Sequence, residues 1–174
     1  MPKPYRQGQL DGLCGVYALI NAVNVLCGPI SKRHAQTLFH DILSFLESRG
    51  PIAERCVHGI VIHDIAAILK HLICTRYPII RSKPFHRCPR VDQAIFLQTL
   101  EVFLSVPDRI VFSGIEGHYN HWTLISQITE QTIQVYDSDD MRFLLKSSCS
   151  MIHEHEAKRH WLLPAHTYLL QRKA

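Results

Sequence analysis

No apolar run in this chain reaches the roughly 18 residues that a membrane-crossing helix needs, so no spanning segment is expected. The opening residues, Met1-Pro2-Lys3-Pro4-Tyr5-Arg6, hold no apolar stretch of the kind a secretory signal carries. Six cysteines are scattered at 14, 27, 56, 74, 88 and 149 without a single C-x-x-C pair. That excludes a zinc ribbon or a dense disulfide framework and suits a reducing compartment, so a cytoplasmic location, or delivery from a cytosol, is expected. Charge is sparse as well: 20% of residues are Asp, Glu, Lys or Arg, and the formal net charge of +4 comes from scattered positions such as Lys3, Arg6, Lys158 and Arg172. A nucleic-acid surface would gather its basic residues with aromatics along one stretch. None does, so neither a nucleic-acid nor a membrane partner is expected. There is no repeat, linker or long polar segment, and 47% of residues are hydrophobic, enough for one folded domain over 1–174.

What the chain does have is concentrated near its start, in Gln7-Gly8-Gln9-Leu10-Asp11-Gly12-Leu13-Cys14-Gly15. An Asp-Gly turn leads into Cys14, after which Val16, Leu19, Ile20 and Val23 recur at the spacing of a buried helix. Cys14 is thus expected at a helix N-terminus, where unpaired N–H groups and the positive end of the dipole favour a thiolate. A nucleophilic thiolate needs a base, an orienter for that base and donors for the oxyanion. His121, in Asn120-His121-Trp122-Thr123, opens a strand-like run, and Asp137 closes the next one sixteen positions on. A hairpin would set them side by side, with Asp137 holding one imidazole nitrogen and the other facing Cys14. Gln9, across the turn, is the expected oxyanion donor beside the Cys14 N–H. Gly15 would let a substrate backbone approach, Trp122 would shield the Cys14–His121 contact, and Asn120 stands next to the base.

Along the chain, Cys27-Gly28-Pro29 should end the first helix, and Ser31 should cap a second with Leu38, Ile42, Phe45 and Leu46 on one face, stopped by Gly50-Pro51. Gly50 to Gly59 and Phe85 to Arg90 read as loops that would set specificity. Further helices are expected at about 62–72 and 91–105. Thr75 to Arg81 reads as a strand that Pro78 confines to a sheet edge. Short runs rich in β-branched and aromatic residues follow at 109–115, 121–128, 132–136, 142–145 and 167–170. Helices first and an antiparallel sheet after is an α+β arrangement.

Cysteine, then histidine, then an acid or amide is the order of the papain-like cysteine hydrolases, which the helices-then-sheet layout also resembles. The spacing is most similar to Josephin-type deubiquitinases, whose glutamine lies five residues before the cysteine, as Gln9 does, and whose His-Trp pair opens the strand carrying the base. Their third residue is an asparagine about fifteen positions after the histidine, where this chain has Asp137 at sixteen. Asp11-Gly12-Leu13-Cys14 also resembles the D-G-x-C of ovarian-tumour-type deubiquitinases. His121-Trp122 and Tyr136-Asp137-Ser138 resemble segments of SUMO-protease-like enzymes, although those place the cysteine after the histidine. A glutamine followed by cysteine-glycine also occurs in peptidase domains of bacteriocin exporters and in bacterial effector proteases.

The resemblance implies a papain-like hydrolase of peptide or isopeptide bonds, acting on a protein or peptide, with ubiquitin or a ubiquitin-like tail as candidate substrate and no cofactor. The same residues would serve a glutamine deamidase or a transglutaminase, and a silent binding module could keep the fold without the chemistry. His153, Glu154, His155, Glu156 and His160 raise a metal reading, but they lack the H-E-x-x-H pattern and read as a solvated helix face. Cys27, Cys56, Cys74, Cys88 and Cys149 read as small hydrophobes. Asn21 and Asn24 read as packed polar groups of the first helix.

Overall fold

A computed structural model describes residues 1–88, 90–154 and 157–173. Helix α1 (Cys14–Leu26) is apolar on nearly every side and buried along nearly all its length, which makes it the axis of the molecule. The Ser31 hydroxyl accepts the His34 N–H at 3.2 Å and starts α2 (Lys32–Glu47), whose buried residues Ala35, Leu38, Ile42 and Leu46 pack toward α1. Gly50 to Gly59, expected as a loop, contains a short helix, α3 (Ile52–His58). The Glu47 carboxylate accepts the Ile52 N–H at 2.7 Å, and Arg55 reaches both the Gly50 carbonyl and the buried Asp64, so local hydrogen bonds hold a segment whose apolar pattern gave no sign of it.

The third expected helix forms as α4 (Ile62–Ile68), runs on through a π-helical turn (Leu69–Ile73) and ends in α5 (Cys74–Arg76). It therefore takes the first residues of the expected strand, leaving β1 as Ile79–Ser82 at one sheet edge. Asp92 caps α6 (Gln93–Leu104) by accepting the Ala94 N–H at 2.7 Å. The strands β2 (Arg109–Gly117), β3 (His121–Ile128), β4 (Thr132–Tyr136) and β5 (Phe143–Leu145) follow as the alternation predicts. Two pieces go beyond it: β6 (Cys149–Met151), which pairs parallel, and β7 (His160–Arg172), much longer than the 167–170 run.

The strand order is β1-β7-β2-β3-β4-β5, antiparallel throughout, with β6 beside β7. One face of the sheet, with Ile110, Phe112, Leu124 and Tyr168, packs under α1, α2 and α4. The other, with Val111, Ile125, Ile133 and Leu169, packs on Phe96, Leu97 and Leu100 of α6. Covering both faces is why these strands read as apolar runs. Among the described residues, no single helix is long and apolar enough to cross a membrane. Cys149 is buried, Cys27, Cys56 and Cys74 are half-buried, and Cys88 is exposed rather than packed.

Candidate active site

The turn before α1 is built by Asp11, whose carboxylate accepts the N–H of Leu13 at 3.0 Å and of Gly8 at 3.1 Å. It delivers Cys14 as the first residue of α1, and no side chain caps that helix. The Val16 and Tyr17 N–H groups close on the Leu13 carbonyl at 2.8 and 3.1 Å, which leaves the Cys14 and Gly15 N–H groups for a ligand. Gly12 has no room for a side chain: a Cβ would stand 2.8 Å from the Gly59 nitrogen and 3.0 Å from the Val57 carbonyl, and its N–H donates to the Cys56 carbonyl at 2.7 Å. Gly59 completes the contact at φ +83°, a conformation that suits glycine.

His121 opens β3 and Asp137 follows β4, and the antiparallel register Leu124↔Tyr136 brings these ends together. His121 Nε2 lies 2.7 Å from Asp137 Oδ2, with both residues buried. Cys14 sits beside the same imidazole, close enough to act on its charge, while its thiol points at the Gly12 carbonyl at 3.9 Å. Burial opposes a charge on His121, but the hydrogen bond to Asp137 and the neighbouring Cys14 outweigh it, and its pKa is pushed up to about 10. For Asp137, burial alone would raise the pKa. The His121 hydrogen bond and charge reverse the sign, helped by the Asp139 N–H at 2.7 Å, and hold the carboxyl below its ordinary range. The three expected members of the triad are thus joined in one place.

The two glutamines before Cys14 are placed differently. Gln9 is exposed at the tip of the turn and does not line the cleft around Cys14; Gln7 does. The turn reverses the chain within Gln9 to Gly12, so the residue that returns to the cysteine lies further upstream. Gln7 is anchored on both sides, its N–H donating to the Ser138 carbonyl at 3.0 Å and its side-chain amide to the Asp11 carbonyl. The segment before it is tied to α1 by the two buried asparagines. Asn21 exchanges two hydrogen bonds with the Tyr5 backbone, at 2.8 and 3.0 Å, and Asn24 binds the Lys3 carbonyl, the Ile30 N–H and the Tyr136 hydroxyl. Arg6 pairs with Asp140 in the loop after Asp137. A strap of residues 3–7 therefore joins α1 to the loop after Asp137.

Gly15 is buried outside the cleft lining, and a Cβ there would lie 2.9 Å from the Ile60 side chain and 3.0 Å from Trp122. Its smallness seats α1 against its neighbours. Trp122 lines the cleft, stacks on Phe112 at 5.4 Å and donates from its indole N–H to the Ile60 carbonyl at 2.9 Å, which fixes the opposite wall. Asn120 lines the cleft and is exposed.

The cleft measures about 670 Å³. Val57 and Val61, both mostly exposed, form its rim on one side, and Tyr119, whose ring centre is 5.8 Å from that of His121, stands on the other. Of the two expected specificity loops, 50–59 contributes Val57, His58 and Gly59, while the described part of 85–90 contributes nothing. Leu163 and His166 enter the lining through an irregularity in β7: the register jumps from Ser113↔Thr167 to Ile115↔Leu162, which places Pro164 in a bulge. A proline is tolerated in an inner strand only in such a place.

Among the described residues, no group of three His, Cys, Asp or Glu side chains is placed to hold a metal. His153 and Glu154 lie in a 3₁₀ turn and His160 opens β7, so the expected helix face is absent there; His155 and Glu156 lie outside the described residues. No family model matches the chain, and no curated protein matches it.

Proposed function

We propose that the chain is a papain-like cysteine hydrolase of a peptide or isopeptide bond, with Cys14, His121 and Asp137 as its triad. The observation that carries the reading is the buried His121 Nε2–Asp137 Oδ2 contact at 2.7 Å with Cys14 beside the same imidazole, at a helix N-terminus that no side chain caps, in the lining of a cleft. The Cys14 sulfur attacks the substrate carbonyl carbon, and the carbonyl electron pair moves to oxygen. That oxyanion is held by the Cys14 N–H and by the side-chain amide of Gln7, which has two donors and uses one on Asp11. His121, kept protonated by Asp137, gives its proton to the leaving amine as the C–N bond breaks, leaving a thioester on Cys14. Water then adds to the thioester carbonyl while His121 takes its proton, and the acid product leaves with the sulfur restored.

A ubiquitin-like C-terminal tail is the first substrate to test. A glutamine side chain as the carbonyl, or an amine in place of water, would turn the same steps into deamidation or transamidation. The test is turnover of fluorogenic peptide and ubiquitin-like C-terminal amides by the native chain and by Cys14→Ser, with intact-mass detection of the acyl-enzyme. Turnover lost in Cys14→Ser supports the proposal. Binding of such chains with no acyl-enzyme and no turnover would replace it with a protein-binding module.

A further inference from the structure

Beyond Trp122, the helix-covered face of the sheet carries basic side chains without acidic partners. Trp122 stacks beside His166 at 5.6 Å, His166 lies two residues from Tyr168 on β7, and over the Tyr168 ring stand Lys83 at 5.0 Å and Arg81 at 5.8 Å. The register Arg81↔Leu170 and Ser82↔Leu169 sets β1 along this part of β7. His63 approaches the same point from the start of α4; burial first, and then the neighbouring Lys83 and His63, hold the His166 pKa below its ordinary value, so His166 is a neutral polar group near pH 7. Among the described residues, none of Arg81, Lys83, His63 and His166 forms an ion pair. The buried carboxylate nearest in sequence, Asp64, is taken by Arg55. The acids that line the cleft lie elsewhere: Glu116 is at the far end of β2 from Phe112, and Asp139 is in the triad loop. Like charges crowded against an aromatic ring with no counter-charge attract an anion from outside.

We infer that Arg81 and Lys83, over the Tyr168 ring and beyond His166 on the β1 side of the cleft, form a cationic subsite that receives a carboxylate side chain of the substrate. This deepens the hydrolase reading and rests on it. The proposal places an Asp or Glu a few residues from the scissile carbonyl and disfavours a tail with arginines there. A half-exposed pair of cations adds a modest preference, about fivefold, which salt should erode.

The test uses tetrapeptide vinyl sulfones carrying one Glu or one Gln at each position before the electrophile, with labelling of Cys14 followed by mass spectrometry. At one position Glu should inactivate about fivefold faster than Gln at ~50 mM salt, and the ratio should fall toward one at ~0.5 M salt and in Arg81→Gln/Lys83→Gln. A ratio near one at every position in a native chain that labels normally would overturn the subsite and leave the hydrolase standing. A Glu preference that survives the double substitution would equally remove these residues from the role. No labelling of Cys14 by any member would overturn the hydrolase reading, and the subsite with it.

Discussion

Replacing Asp137 by asparagine should separate the charge of the buried pair from its shape. The imidazole and carboxylate are 2.7 Å apart, with both side chains withdrawn from water. Raising the His121 pKa from 6.5 to about 10 corresponds, at ~1.4 kcal/mol per tenfold change in proton affinity, to about 5 kcal/mol of favourable coupling, shared between Asp137 and Cys14. Breaking a buried pair costs about 3–5 kcal/mol, so asparagine, which keeps a hydrogen bond, should cost about 2–4 kcal/mol near pH 6. The sign follows from the directions. A raised histidine pKa gives stability that is full below about 6.5, declines as pH rises and is gone above about 10. The lowered Asp137 pKa gives stability that is lost only as pH falls through its folded value, below the ordinary 3.8. Urea unfolding of both proteins from pH 5 to 10.5 should show a gap that is widest near pH 6 and closes toward pH 10. A gap under about 0.5 kcal/mol at pH 6, or one that is flat with pH, would refute the reasoning.

Three further substitutions test the rest of the site. Gln7→Ala should lower kcat by about 10²–10³ with little change in KM, whereas Gln9→Ala, at an exposed turn, should change it by less than twofold; steady-state kinetics on one fluorogenic substrate decide between them. Gly15→Ala should destabilise by about 1–3 kcal/mol in urea, since its methyl would meet Ile60 and Trp122 at 2.9 and 3.0 Å. Trp122→Phe, which leaves the Ile60 carbonyl without its donor, should cost about 1–3 kcal/mol, and an unchanged unfolding midpoint would show that the bond is idle.

The α+β class was legible because periodicity changes once, at about residue 109, and because a strong cap such as Ser31 marks a helix start. Cys14, His121 and Asp137 were legible through local context: an Asp-Gly turn before a buried helix, and a polar residue at each end of a hairpin. The place of Gln7 in the cleft, with Gln9 outside it, was not, because spacing along a turn does not say which residue comes back to the cysteine. The packing of glycine was hidden for the same reason. At Gly15 it meets Ile60, 45 positions away, a contact no local pattern records. The length of β7 was hidden by Pro164, which breaks a strand signal unless a bulge is foreseen, and that bulge is what brings His166 into the cleft. The strap was equally hidden, since Asn21 and Asn24 act on backbone groups 16 and 21 residues upstream.

The most direct test of the central claim is the rate of Cys14 alkylation by iodoacetamide across pH, read by mass spectrometry, in the native chain and in His121→Ala. If Cys14 and His121 form one reactive pair, native Cys14 should react at least tenfold faster than the variant at pH 6, with the two rates converging as pH rises past the range in which an ordinary thiol ionises, ~8.5. Equal rates in both proteins throughout would contradict the account, because His121 would then do nothing for the sulfur beside it.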